Sequence, residues 1–183
     1  MTVLQLKKAL SSVDWNAGVL NFSNDANTME KFDKGCARIA EWVRGLASAD
    51  AGNPALAFLW SAQTAANTAV VSSSLSLYHA AAASIRNVVE NGLYYSYFRS
   101  HPAELATLVR DKSFYISKAD VIAFYRLHIP EFKSIQEKLG LQSRLENWYS
   151  DISAIVHGQL PGVWVHHVAI KDINPNQATQ GRC

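Results

Sequence analysis

Cysteine, proline and glycine are all scarce in this chain of 183 residues, and each scarcity excludes a class of protein. The two cysteines, Cys36 and Cys183, are far apart and have no partner spacing. They therefore argue against a disulfide framework and a cysteine-built zinc site, and they suit a reducing compartment. Five prolines and nine glycines exclude collagen-like and low-complexity chains. Because 49% of the residues are hydrophobic, we expect one folded domain with a small appendage.

Charge is also sparse, at 17% of the residues against about a quarter in typical globular chains. The 17 basic and 15 acidic residues give a net charge of +2, which neither requires nor excludes a nucleic-acid partner. Residues 51–98 carry only two charges, Arg86 and Glu90. Residues 110–146 carry seven basic and five acidic side chains, which favours a solvated face over a basic patch.

No segment of the sequence is typical of a targeting signal or a membrane span. The N-terminus lacks a basic region that leads into a long apolar run. The most apolar stretch, residues 55–83, is interrupted by serine, asparagine, glutamine and histidine, which are costly in a bilayer. We therefore expect a cytoplasmic protein that has no membrane partner.

Apolar residues recur at steps of three and four along most of the chain, which predicts helices throughout. We expect an all-α, antiparallel bundle of about five helices over residues 1–162, followed by an extended C-terminal tail over residues 163–183. Residues 21–27 are expected to form a polar loop, and Thr28 to cap the next helix. Residues 163–170 are rich in β-branched and aromatic side chains, which favours a strand or extended segment.

A helix turns 100° per residue, so residues seven or eleven positions apart lie on nearly the same face. By this spacing, two predicted helices carry a polar stripe. The polar stripe of the central helix consists of His79, Arg86 and Glu90. The polar stripe of the last helix consists of Glu146, Ser150, Ser153 and His157. The opposite, apolar face of the last helix consists of Leu145, Tyr149, Ile152 and Val156.

The stripes have an ordinary explanation and a functional one, and the sequence leaves both open. An Arg–Glu pair one turn apart stabilises a helix by about 0.2–0.5 kcal/mol, and the helix dipole favours a histidine in a last turn. If the stripes face each other, they form a site for acid–base chemistry. His157 would then be the general acid or base and Arg86 the phosphate clamp. Glu90 and Ser153 would support them.

Three stretches of sequence carry a resemblance to HEPN-like helical proteins of the phage-defence and abortive-infection type. SIRNVVE (residues 84–90) and YYSYFRSHPAE (residues 94–104) resemble the Arg–Glu helix and the aromatic, His-Pro-x-Glu turn of these proteins. YSDISAIVHG (residues 149–158) resembles their closing Tyr-x-x-x-Ser-x-x-x-His-Gly helix. The likeness covers approximately residues 75–160.

The resemblance implies a bundle of four to five helices that forms a homodimer and acts on RNA without a metal or cofactor. In active members a histidine removes the 2′-hydroxyl proton, an arginine steadies the phosphate, and cleavage leaves a cyclic phosphate. By position, His157 matches the histidine, and Arg86 and Glu90 match the earlier helix. The implied setting is a bacterial defence or toxin system in which a cognate protein is a further partner.

One feature departs from the family pattern, in which an arginine precedes the histidine by five to seven positions. No arginine occupies that window before His157, and the nearest, Arg144, is thirteen positions away. Two alternatives stay open. Either Arg86 replaces the missing arginine from the neighbouring helix, or the chain is an inactive helical dimer that binds a partner protein or nucleic acid.

The sequence lacks the common motifs of other catalytic, metal-binding and nucleotide-binding sites. The sequence contains no HExxH, CxxC, GxGxxG, GxxxxGK[ST] or GxSxG motif. His166 and His167 would point to opposite faces of a strand, which makes them poor joint metal ligands. We expect neither a metal site nor a cofactor. The aromatic run that contains Tyr94, Tyr95, Tyr97 and Phe98 is expected to lie in the core or in a dimer interface rather than to stack on bases.

Overall fold

The structure is a computed structural model that describes residues 2–159 and 169–175. It is helical and has no β-strand within those ranges, which confirms the expected all-α class for the described part. The helices in chain order are α1 (Val3–Ser11), α2 (Trp15–Asn24), α3 (Ala26–Ala49), α4 (Leu56–Ser74), α5 (Tyr78–Phe98), α6 (Pro102–Arg110), α7 (Lys118–His128), α8 (Phe132–Leu139), α9 (Leu141–Val156) and a 3₁₀ turn (Ile170–Asp172).

The described residues form more helices than the five or so expected, partly because aspartates cap helices where a loop was predicted. Asp14 accepts a hydrogen bond from the backbone N–H of Ala17 at 2.9 Å and starts α2. Helix α2 extends to Asn24 and α3 begins at Ala26, so the predicted loop over residues 21–27 is wrong. Asp25, not Thr28, is the N-cap of α3, because its carboxylate accepts from the Thr28 backbone N–H at 3.1 Å and hydroxyl at 2.7 Å.

Most of the predicted tail lies outside the described residues. This applies to residues 160–168 and 176–183, and so to His166, His167 and Cys183. Ala169 has an extended backbone, whereas Ile170–Asp172 forms the 3₁₀ turn. Ile170, the last residue of the segment predicted to be extended (residues 163–170), is therefore not extended.

Helices α4 and α5 form a hairpin at the centre of the fold. This central position explains why residues 51–98 carry only two charged side chains. A connection of three residues makes the two helices antiparallel neighbours. Helix α3 packs against α4, and α7 and α9 pack against α5. Small buried side chains let the axes of α4 and α5 approach each other: Ala62, Ala66, Ala69, Ala81 and Ala82.

The turn between α4 and α5 depends on a left-handed residue. Ser76 has φ 62° and is buried, so α4 and α5 are separate helices rather than one continuous helix. A Cβ at Gly18 of α2 would lie 2.8 Å from the carbonyl oxygen of Ser74. Helix α2 therefore packs against this turn only because residue 18 has no side chain.

The aromatic run at the end of α5 belongs to the core. Tyr95, Tyr97 and Phe98 are buried, so they are not exposed for stacking on bases. The Tyr95 hydroxyl donates to Asp50 Oδ2 at 2.5 Å, and the Tyr97 hydroxyl donates to Glu104 Oε2 at 2.7 Å. Burial and these carboxylate acceptors raise the pKa of both tyrosines to about 12. The His-Pro-x-Glu turn thus contributes to packing.

Candidate functional site

The two charges of the central hairpin form an ion pair on one face of α5. Arg86 Nε lies 2.9 Å from Glu90 Oε1, one helical turn away. The side chains remain 21% and 34% exposed, respectively. The pair is therefore partly desolvated but still open to a ligand from solvent.

His157 is positioned by the way in which α9 ends. Gly158 has φ +64°, a left-handed conformation that glycine adopts without strain. Its N–H donates to the carbonyl of Ile155 at 3.0 Å, and the N–H of Gln159 donates to that of Ala154 at 2.8 Å. These two bonds are those of a Schellman C-cap, in which His157 is the C-cap residue. The His-Gly pair thus stops α9 and places the imidazole at its end.

His79 secures the same end of the helix from α5. Its Nε2 lies 3.1 Å from the carbonyl oxygen of Val156, the last residue of α9. Because a carbonyl only accepts, this Nε2 carries the proton. His79, which was predicted to share one face of α5 with Arg86 and Glu90, therefore caps the neighbouring helix α9.

Replacing Gly158 by alanine is expected to lower the free energy of unfolding by about 1–2 kcal/mol, the cost of a left-handed conformation for a residue with a Cβ. Apart from its two chain neighbours, no described residue has an atom within 4 Å of that Cβ position, so the loss comes from the backbone. Urea denaturation measures it. Gly45→Ala is the matched control, because Gly45 lies in the interior of α3 with open space around it. That variant should gain stability, and a loss of similar size in both would contradict the prediction.

The structure brings Arg86, Glu90 and His157 together. Arg86 Nη1 lies 3.0 Å from His157 Nε2, although the residues are 71 positions apart in sequence. A guanidinium N–H can only donate, so His157 Nε2 accepts and the ring proton belongs on Nδ1. The nitrogen that would act as a base thus faces the cation, and the His157 side chain is exposed to solvent.

Tyr149 completes this cluster, although the sequence pattern assigned it to the apolar face of the last helix. Its hydroxyl donates to Glu90 Oε1 and accepts from Arg86 Nε at 3.1 Å. The Arg86 guanidinium carbon also lies 4.9 Å from the centre of the ring. The signal that could have identified Tyr149 is its position two turns before His157 on the same helix.

Charge and burial fix the protonation states of Arg86 and Tyr149. Burial raises the pKa of the Tyr149 hydroxyl, and its hydrogen bond to Glu90 raises it further, so the phenol stays neutral at neutral pH. Burial works against the charged form of Arg86. The hydrogen bond and charge of Glu90 outweigh that effect and raise the pKa of Arg86. The cluster therefore keeps a permanent cation beside an imidazole.

Ser153, which was predicted to support the site, does not do so through a hydrogen bond to the imidazole of His157. Its hydroxyl is buried and has no hydrogen-bond partner among the described residues, so it does not hold the imidazole of His157. Only its backbone carbonyl contributes, by accepting from the His157 N–H at 2.9 Å. Glu146, on the same predicted stripe, accepts from Gln142 Nε2 at 2.8 Å instead. Of the predicted polar stripe on the last helix, His157 is therefore the residue whose side chain contacts Arg86.

In the ranges that the structure describes, no group of three His, Cys, Asp or Glu side chains could hold a metal ion. No helix in those ranges is long and apolar enough to cross a membrane. No protein-family model, no curated protein and no solved structure matches this chain. The likeness to HEPN-like proteins therefore depends on the short motifs alone.

Proposed function

We propose that this chain is a metal-independent endoribonuclease in which His157 and Arg86 act on one phosphodiester. The observation that carries the proposal is the 3.0 Å contact between Arg86 Nη1 and His157 Nε2. A base and a phosphate-binding cation must both reach atoms of the same nucleotide, and groups this close can do so. Arg86 then takes the part of the arginine that is missing before His157.

The chemistry follows from these two groups. His157 Nε2 removes the proton of a 2′-hydroxyl, and the 2′-oxygen attacks the adjacent phosphorus. The bond from phosphorus to the 5′-oxygen breaks, and that oxygen takes a proton from solvent water. The His157 imidazolium returns the abstracted proton to solvent, which regenerates the base. The products are a 2′,3′-cyclic phosphate and a 5′-hydroxyl. Arg86 stabilises the charge that develops on the phosphoryl oxygens, which is the kind of electrostatic effect that contributes most to such reactions.

Without substrate, Arg86 occupies the lone pair that His157 needs as a base. Its Nε is held by Glu90 and Tyr149, whereas Nη1 contacts only the imidazole among the described residues. We infer that a phosphate takes over the Nη1 bond when RNA binds, because a charged acceptor binds a guanidinium more strongly than a neutral imidazole does. His157 Nε2 is thereby released beside the substrate.

The test is cleavage of an end-labelled single-stranded RNA by the native protein in excess EDTA. We expect fragments whose 3′ ends are cyclic phosphates, which mild acid opens to 2′- or 3′-monophosphates that phosphatase then removes. Cleavage that depends on an added divalent metal, or that leaves 3′-hydroxyl ends, would contradict the proposal. In keeping with the resemblance, we propose a homodimer of a bacterial defence or toxin system, with a cognate protein as a further partner.

A second candidate is a catalytically inactive helical dimer that binds a partner protein or nucleic acid. One observation favours it: the bonds of Tyr149 to Glu90 and Arg86, and that of Arg86 to His157, also hold α9 against α5. A purely structural network would look similar. If the native protein cleaves no RNA while loss of Arg86 loosens the fold, this second function is supported and the nuclease is not.

A further inference from the structure

A second cation lies against the ring that supports Arg86. Lys118, the first residue of α7, has its Nζ 4.1 Å from the centre of the Tyr149 ring. The Arg86 guanidinium carbon is 4.9 Å from the same centre, so the two charges are at most about 9 Å apart. Both are attracted by the negative face of the ring.

The two cations differ in how their charge is balanced. Arg86 is paired with Glu90, whereas no Asp or Glu of the described residues lies within ion-pair distance of Lys118. The nearest acid in sequence, Asp120, accepts hydrogen bonds from the backbone and hydroxyl of Ser117 instead. Lys118 is therefore an unpaired positive charge, partly buried beside the candidate active site.

A cleft continues from Lys118 along α9. It has a volume of about 240 Å³, lies between α7 and α9, and includes Arg126 and Gln142 in its lining. Arg126 Nη1 donates to Gln142 Oε1 at 3.4 Å. Glu146 also lines the cleft, and its carboxylate accepts from Gln142 Nε2 at 2.8 Å. From residue 142 to residue 157 the helix axis measures about 22 Å at 1.5 Å per residue, which is long enough for several nucleotides of one strand.

We propose that Lys118 and Arg126 extend the site into a track that binds consecutive phosphates of single-stranded RNA on one side of the cleaved bond. This inference rests on the proposed function and adds the substrate class to it. The open position of Arg86, Glu90 and His157 supports a polymer that lies across the surface rather than a small substrate enclosed in a pocket.

The experiment measures RNA binding in the His157→Ala background, where cleavage does not interfere. Lys118→Gln in that background should weaken binding of a labelled single-stranded RNA about five- to tenfold at 0.1 M salt, and should reduce the salt slope by about one phosphate contact. Lys118→Arg should restore most of the affinity. Lys133→Gln is the matched control, because Lys133 is exposed on α8 and lies outside the track; it should leave binding unchanged.

The outcomes separate this inference from the function on which it rests. Equal affinities of the Lys118→Gln and Lys133→Gln chains would overturn the track, and cleavage by the native protein would still support the nuclease. Binding that depends on Lys118 without cleavage by the native protein would support the track and overturn the nuclease. If no RNA is bound and none is cleaved, both proposals are overturned.

Discussion

His157→Ala is expected to slow RNA cleavage about 10²- to 10⁴-fold, the usual contribution of a general acid or base. The physical reason is that no other described imidazole lies beside Arg86: His79 is bonded to the end of α9, and His101 is stacked on Tyr97. The measurement is the single-turnover rate of the native and variant proteins in EDTA.

Stability separates a catalytic loss from unfolding. His157 is exposed, and its loss leaves the backbone cap at Gly158 in place, so urea denaturation should show a change within about 1 kcal/mol. His128→Ala is the matched control, because His128 is also exposed and is the last residue of its helix. Equal cleavage by His157→Ala and native protein would remove His157 from the mechanism.

Helical periodicity was sufficient to identify the principal members of the cluster. Arg86 and Glu90 are neighbours on α5 because they are four residues apart, and His157 follows from the glycine that ends α9. What periodicity does not contain is the docking of α9 on α5, which brings atoms 71 positions apart in sequence to 3.0 Å. The sequence therefore predicted three members of the cluster, Arg86, Glu90 and His157, but not that they meet.

Tyr149 and Ser153 show where a division into polar and apolar faces fails. Tyrosine carries an apolar ring and a polar hydroxyl, so Tyr149 was assigned to the apolar face although its hydroxyl bridges Arg86 and Glu90. Ser153 was assigned to the polar stripe, yet its hydroxyl is buried. The rotation of α9 against α5 decides both, and that rotation is a property of tertiary packing.

The helix boundaries show the same division between local and distant causes. The break after α3 and the left-handed Gly140 that ends α8 were predictable from glycine and proline. Helix α2 was missed because it depends partly on Gly18, which packs against the turn at Ser76 far along the chain. Tertiary contact of this kind overrides a local polar pattern.

Arg86→Ala is expected to reduce cleavage about 10²- to 10³-fold, because it removes a donor that stabilises the phosphoryl charge. Arg86→Lys should recover little of this activity, since the compact ammonium group lacks the planar fork that lets Nε hold Glu90 and Tyr149 while Nη1 faces the site. Both variants should also lower the free energy of unfolding by about 1 kcal/mol through the lost hydrogen bonds. Single-turnover cleavage and urea denaturation measure the two effects separately.

Arg144→Ala is the control that decides between the two arginines. Arg144 is the nearest arginine before His157 in sequence, but it is exposed near the start of α9, whereas Arg86 contacts the imidazole. We expect Arg144→Ala to cleave RNA at the native rate. If Arg144→Ala loses activity while Arg86→Ala keeps it, Arg86 does not replace the arginine of the family motif. If Arg86→Ala loses stability alone, the bonds of Arg86 to Tyr149 and His157 serve to hold α9 on α5.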